Sequence, residues 1–381
     1  MSSTNISTKN KTKLWLISGG RCEYPGCNKP LWKDSVTYNK MNIAYMAHII
    51  ADTPGGPRGD EALSEKLSDD ISNLMLLCDV HHRLIDNKNE RGEEPGEHHP
   101  VDLLRKFKNE HERRIELLTS LDAHRKSYIV SLTANIDQHK GFVNFRDAKQ
   151  AMLPERFPAS DQIIKIDLTS STLTEEDPEY WTVNAKNITR QVNTRLQSGP
   201  DGKEINHISV FGFAPIPLLI HFGKELGNKL PTDLYQKHRD TENWSWKDLK
   251  NKEFKYELIK QPKNDAKTND VVLILSLSGK IHVNEITDLL GENLNIYEMS
   301  IPNPDPLFLK ALEQLELFSK EIRKLLAKIR QNRGEDCVIH LFPAVPIPIA
   351  IEIGRTLLPK ADPEIYIYDK TTEGFKHRLT V

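Results

Sequence analysis

Apolar positions along this chain change their pattern near residue 160. Before that point, Met41 to Ile50 and Asn73 to Leu77 are short apolar runs with strand character. A Pro/Gly turn at Pro54-Gly55-Gly56-Pro57 lies between them. A helix is predicted from about Asp79, carrying His81, His82 and Asp86. Val101 to Leu121 then places Leu103, Leu104, Phe107, His111, Ile115 and Leu118 at helical spacing. Its outward Arg105, Lys106, Lys108, Arg113 and Arg114 read as a solvated face in preference to a DNA-facing one. Residues 1 to about 12 are polar and expected to be disordered. Residues 122–160 read as a connector ending at Pro154 and Pro158.

From Asp161 onward, short apolar strands alternate with helices. Strands are expected at Ile163–Leu168, Ile205–Phe213, Val271–Leu277, Leu294–Met299, Cys337–Phe342 and Ile365–Tyr368. Helices are expected at Glu179–Gln197, Pro217–Leu226, Pro306–Asn332 and Pro348–Leu357. This alternation predicts parallel α/β sheets with crossover helices. The long charged helix from Pro306 keeps Leu312, Leu315, Phe318, Ile322, Leu325 and Ile329 on one side, suited to packing on a sheet.

The segment Pro215-Ile216-Pro217-Leu218-Leu219-Ile220-His221-Phe222-Gly223-Lys224-Glu225-Leu226 aligns with the segment that opens Pro346-Ile347-Pro348-Ile349 and closes Gly354-Arg355-Thr356-Leu357. Each copy follows an apolar strand and opens a helix, with proline suited to the first turn. Two Rossmann-like halves related by duplication are therefore expected, about 161–265 and 266–381; convergent strand–helix packing is the alternative.

A chain of 381 residues should divide into at least two domains. The formal net charge of −2 supplies no global field that would recruit nucleic acid. Residues 1 to 50 are locally basic: Lys9, Lys11, Lys13, Arg21, Lys29, Lys33 and Lys40 stand against Glu23 and Asp34. That stretch either meets phosphates or is a solvated surface. No segment approaches the roughly 20 apolar residues of a membrane span, so a soluble, cytoplasmic protein is expected. Three of the four cysteines fall between residues 22 and 78. Thiols in a reducing compartment bind metal more often than they pair. Cys337, alone in an apolar run, reads as a small buried hydrophobe.

Cys22-x4-Cys27 and Cys78-x2-His81 have the short spacings by which a tight turn aims two donors at one tetrahedral ion. They are expected to hold a structural Zn²⁺ that stabilises a small core. His48, Asn73 and His82 then remain for chemistry. Hydrolysis of a phosphodiester requires an activated water and charge neutralisation, and one divalent ion can supply the second. His48, at a strand end, suits a general base. Asn73 either orients that imidazole or braces the loop. His82 can bind an ion through a neutral ring nitrogen. Asp86, one helical turn on, is either a second ligand or a partner for His82.

Residues 21–27, 47–49 and 73–86 together resemble an HNH endonuclease, whose strand, loop, strand, helix order is the ββα-metal layout. The resemblance implies His48 as general base, Asn73 as the middle residue and His82 as a ligand of a catalytic Mg²⁺ or Mn²⁺. The chain departs from the pattern at Ala47, where many relatives carry Asp or His as a ligand. His48 itself, Asp86 or Asp52 are the substitutes. His81 also stands where many relatives have Cys, and zinc accepts either.

The duplicated α/β unit is similar to a SAVED domain, a fusion of two CARF-like halves that binds cyclic oligonucleotides. Joined to an HNH unit, it resembles an HNH–SAVED effector of bacterial cyclic-oligonucleotide (CBASS) antiphage signalling. In that family a cyclic di- or trinucleotide binds, protomers assemble into a homo-oligomer, and the nuclease degrades double-stranded DNA. Ligands of open α/β folds lie at strand carboxyl ends near helix N-termini. Those ends point to Pro215, Lys280 and Pro346, with Trp244 and Trp246 as bases' stacking partners or as core. The expected architecture is thus an HNH unit with structural zinc over 1–121, a connector over 122–160 and a SAVED sensor over 161–381. The competing readings are a ligand-independent restriction-type HNH nuclease and a non-catalytic zinc-dependent nucleic-acid-binding module.

Overall fold

Strand, loop, strand and helix in the first third of the chain form one antiparallel pair with a helix at its end. The computed structural model describes residues 6–34, 36–136, 141–249, 254–261, 269–334, 336–358 and 361–381. The chain divides into two compact units, Met1–Leu121 and Asp122–Val381.

In the first unit, α1 (Thr8–Ile17) precedes β1 (Ala44–His48), β2 (Leu74–Cys78), α2 (Asp79–Asp86), the single turn α3 (Pro95–His98) and α4 (Val101–Thr119). β1 and β2 pair antiparallel, with His48 opposite Leu74 and Ala44 opposite Cys78. The polar start of the chain, expected to be disordered, is helical from Thr8; its residues 1–5 lie outside the described residues. Ser7 caps that helix by accepting from Asn10 N, and its own N–H reaches the Asp69 carboxylate at 2.8 Å. Leu14, Leu31, Ile49, Leu74, Leu76, Ile85 and Leu104 make the core. His111 ties α4 to the end of α1 through a 2.9 Å bond from Nε2 to Ser18 O.

The second unit holds two sheets. The first contains β3 (Lys126–Thr133), β4 (Phe157–Pro158), β5 (Ile164–Asp167), β6 (Ile208–Phe213) and β7 (Thr232–Tyr235), with α5 (Phe145–Met152), α6 (Pro178–Arg195) and α7 (Ile216–Leu226) between them. The second contains β8 (Glu257–Lys260), β9 (Val271–Ser276), β10 (Asn295–Ser300), β11 (Val338–Ala344), β12 (Glu364–Thr371) and β13 (Gly374–Thr380), with α8 (Val283–Leu290), α9 (Leu312–Arg333) and α10 (Ile347–Thr356). Parallel pairing runs β5-β3-β6-β7 in one and β10-β9-β11-β12 in the other. These orders are the same, with the first strand between the second and third. β8 and β13 cap the edges of the second sheet in antiparallel fashion.

Residues 122–160 are therefore not a connector. β3 is the central strand of the first sheet, flanked by β4 and β5 on one side and β6 on the other. Its serines dilute the apolar signal, and the buried Ser127 hydroxyl is satisfied internally. Ser127 Oγ lies 2.9 Å from both His207 Nδ1 and Ser209 Oγ. The first half thus begins near residue 126 rather than 161. The long helix starts at Leu312 rather than Pro306, because the Gln314 side chain turns back to accept from Lys310 N (2.8 Å) and Ala311 N (3.0 Å).

One apolar core runs through both halves, including Val130, Val210, Phe222, Leu273, Leu341, Ile349 and Phe318. Fully burying a side chain such as Phe222 contributes about 2–3 kcal/mol. α7 and α10, the two copies of the repeated segment, pack directly on each other with Gly223 and Gly354 at the contact. No helix among the described residues is long and apolar enough to cross a membrane.

Candidate functional site

In the first unit, the turn after α1 carries Cys22 and Cys27, while Cys78 ends β2 and His81 lies in the first turn of α2. Glu23 anchors this turn on β2: its N–H donates to Leu76 O (3.0 Å) and its Oε2 accepts from Leu76 N (2.8 Å). Burial pushes the Glu23 carboxyl up to about 8. The donor atoms of Cys22, Cys27, Cys78 and His81 all lie within 4.8 Å of one another. Sulfurs on a tetrahedral zinc sit about 3.8 Å apart, so this donor set fits the ion. His81 Nδ1 faces the Cys78 sulfur at 3.1 Å and the Cys22 sulfur at 3.5 Å. Tyr24 stacks flat on its ring with centroids 4.2 Å apart, which fixes the ring plane.

His48 lies outside this cluster, at the last position of β1 and 8% exposed. Its Nε2 is 2.9 Å from Ser68 O. A carbonyl only accepts, so Nε2 carries the proton and the neutral ring keeps its lone pair on Nδ1. Asn73 braces the loop and does not bond to the imidazole. Its Oδ1 accepts from Ile50 N and its Nδ2 donates to Ile50 O, both at 2.8 Å. A further bond from Nδ2 reaches Leu67 O at 3.2 Å. Asn73 thus clamps the residues just beyond His48 to the segment that supplies Ser68.

His82 and Asp86 face each other one turn apart on α2, with Nε2 3.4 Å from Oδ2. Tyr45 stacks on the His82 ring with centroids 4.9 Å apart. One octahedral cation can bridge donors at the His82–Asp86 separation. Asp86 Oδ1 is engaged by Arg58 at 2.6 Å. Asp52 is half-buried in the loop after β1. Arg58 escaped the sequence reading because it stands in a Pro/Gly turn, where an arginine normally signals only solvent exposure.

In the second unit, Pro215 and Pro346 cap α7 and α10 and are buried. The carboxyl end of β6 abuts the start of α10: a Cβ on Gly212 would lie 2.9 Å from Ile347 Cγ2. The two repeated helix openings therefore share one seam. The end of β9 turns through Leu277 and Ser278, whose N–H groups both donate to Ala344 O (3.0 and 2.7 Å). Lys280 follows on an exposed loop.

Of the two roles open to the tryptophans, base stacking or core, the structure shows core packing. Trp244 is 3% exposed and packs edge-on against Phe211 at 5.2 Å. Trp246 is half-buried against the same cluster and donates its indole N–H to Leu234 O at 3.1 Å. The polar sequence around them concealed that they fold back over the first sheet.

Two sheets whose four parallel strands share one order, joined through one helix pair, define a duplicated Rossmann-like α/β domain. The model for the SAVED family, the SMODS-associated and fused to various effectors sensor domain, matches residues 188–381. This chain belongs to the SAVED family. Among solved structures it is similar to the Acinetobacter baumannii Cap4 SAVED/CARF-domain containing receptor with the cyclic trinucleotide 2'3'3'-cAAA. That similarity has a TM-score of 0.42 and 12% identity over 74% of this chain and 61% of that one. The Moraxella osloensis Cap4 SAVED/CARF-domain containing receptor gives a TM-score of 0.40 and 13% identity, over 74% of this chain and 59% of that one. The chain thus spans about three fifths of the length of these structures. No curated protein matches it.

Proposed function

We propose that this chain is a cyclic-oligonucleotide-activated, metal-dependent HNH endonuclease that hydrolyses double-stranded DNA in a CBASS-type antiphage system. The observation that carries the reading is the separation of two jobs within one small unit. Cys22, Cys27, Cys78 and His81 converge on one point, while His48, His82 and Asp86 stand outside it on the β1–β2–α2 frame. A fused sensor family in the same chain supplies the second half of the reading.

The chemistry follows from the residues. His48 Nδ1 takes a proton from water, and Ser68 O continues to accept from Nε2 as the ring becomes positive. Asn73 holds Ile50 and so keeps the imidazole from rotating with its loop. His82, with Asp86 beside it, would hold Mg²⁺ or Mn²⁺. When bound, that ion neutralises charge on the scissile phosphate and the leaving oxygen. In the sensor, Lys280 would meet a phosphate of a cyclic di- or trinucleotide at the seam beneath Pro215 and Pro346.

Purified protein, plasmid DNA and Mg²⁺, with and without a panel of cyclic di- and trinucleotides, test the reading. Cutting only with a cyclic nucleotide supports it. Cutting without one would favour a restriction-type nuclease, and DNA binding without cutting a non-catalytic module. Light scattering with the activating nucleotide should show a rise in mass as protomers assemble; a mass that stays at the monomer value counts against assembly.

A further inference from the structure

Arg58 is almost fully enclosed, with its side chain 2% exposed. Its guanidinium contacts two elements of the first unit. Nε donates to Ile49 O at 2.7 Å, and Nη2 lies 3.4 Å from His48 O, so one edge holds the end of β1. Nη1 donates to Ile85 O at 2.5 Å and Nη2 to Asp86 Oδ1 at 2.6 Å, so the other edge holds α2. A rigid planar fork with five donors suits this arrangement, and a lysine ammonium does not reproduce it.

The loop is built to deliver that group. Arg58 adopts φ +56°, which is uncommon for a residue with a side chain. The turn closes through Ala51 N to Pro57 O (3.2 Å), Gly56 N to Thr53 O (3.0 Å) and Gly59 N to Gly56 O (2.9 Å). A Cβ at Gly59 would lie 2.3 Å from Pro54 O, so only glycine lets the chain leave beside it. Burying a charge is costly unless it is fully paired. A surface turn that sends its one cation inward is therefore serving the two elements it joins.

We infer that Arg58 is the positioning residue of the cleavage site: it holds Asp86 by one carboxylate oxygen, turns the other toward His82, and locks this pair to the strand end that carries His48. The inference rests on the endonuclease reading. Enclosed in this way, Arg58 acts through Asp86 and the two backbones it bridges.

Mn²⁺ binding by titration calorimetry on the full zinc-loaded chain provides the test, with zinc content measured in parallel. Arg58→Lys is expected to weaken Mn²⁺ binding about tenfold while retaining zinc at the wild-type level. Asp86→Glu, at a partly exposed position, keeps the carboxylate but displaces it from the fork, and should lose a similar factor. Arg58→Lys added to Asp86→Asn should cost less than twofold beyond Asp86→Asn alone, because both act through one contact. Wild-type affinity in either Arg58→Lys or Asp86→Glu, or effects that multiply in the double variant, would overturn the proposal. Should Arg58→Lys fail to fold, Asp86→Glu decides. A wild-type protein that binds no Mn²⁺ beyond its zinc would instead overturn the endonuclease reading, and the role of Arg58 with it.

Discussion

Gly223 and Gly354 touch each other's helix at the same place in the repeat. A Cβ on Gly223 would fall 1.9 Å from Ile351 O, and one on Gly354 would fall 1.9 Å from Ile220 O. Ile220 and Ile351 occupy matching positions in the two copies, so the contact is a pseudo-dyad of backbone against backbone. Gly354→Ala is expected to force α7 and α10 apart, at a cost of about 3 kcal/mol. The melting temperature of the second unit should fall by roughly 6–12 °C. A variant that melts with the wild type would show that the helices can separate freely.

His48→Ala is expected to reduce plasmid cleavage by about 10³-fold, the usual scale for losing a general base. Binding of the activating nucleotide should be unchanged. Cleavage at the wild-type rate would remove His48 from the mechanism.

Chelation of zinc should unfold the first unit while sparing the second. Apparent binding free energies of structural zinc reach about 10–16 kcal/mol, more than a unit of this size holds in reserve. Hydrogen exchange reads this directly: the Ile49 and Leu76 amides, bonded to Asn73 O and Glu23 Oε2, should lose protection. Retained protection in full chelator would mean that the core stands without the ion.

Lys280→Ala is expected to weaken cyclic-nucleotide binding about tenfold, the value of one charged contact. Trp244→Ala should behave differently. Removing a core indole costs about 3–5 kcal/mol of stability. The nucleotide affinity of protein that remains folded should stay at the wild-type level.

Burial holds His221, His238 and His340 below the ordinary imidazole value. The unfolded chain then binds more protons than the folded one in mildly acidic solution. The stability these groups contribute is complete above about pH 6.5 and is lost as pH falls below it. Denaturant midpoints should therefore drop on acidification, and His221→Gln should flatten the profile. An unchanged slope in that variant would assign the dependence to other groups, with His81, His99 and His111 also held low by burial.

The repeat was legible because Pro-Ile-Pro opens a buried helix twice and proline tolerates few other positions. The Cys/His spacing was legible because short spacings constrain geometry strongly. β3 was hidden: Ser127, Ser131 and Thr133 break its apolar run, and Ser127 meets its partners, His207 and Ser209, only in the folded chain. β7 and β13 are short or polar and gain their pairing from neighbours. Arg58 was invisible for a related reason, since nothing local tells a cation in a Gly/Pro turn to face inward. For Asn73 the sequence leaves two roles open, orienting His48 or bracing its loop, and the folded chain puts its amide on Ile50.

The two halves share a strand order but end differently. After β9 comes the loop that carries Lys280; after β3, Asn135 stands at the position of Ser278, and its amide is spent on Thr169 O at 3.1 Å. The strand end itself closes alike in both copies, Ala134 N to Phe213 O (2.8 Å) and Leu277 N to Ala344 O (3.0 Å), so one backbone scaffold carries two different sets of side chains past the same stitch.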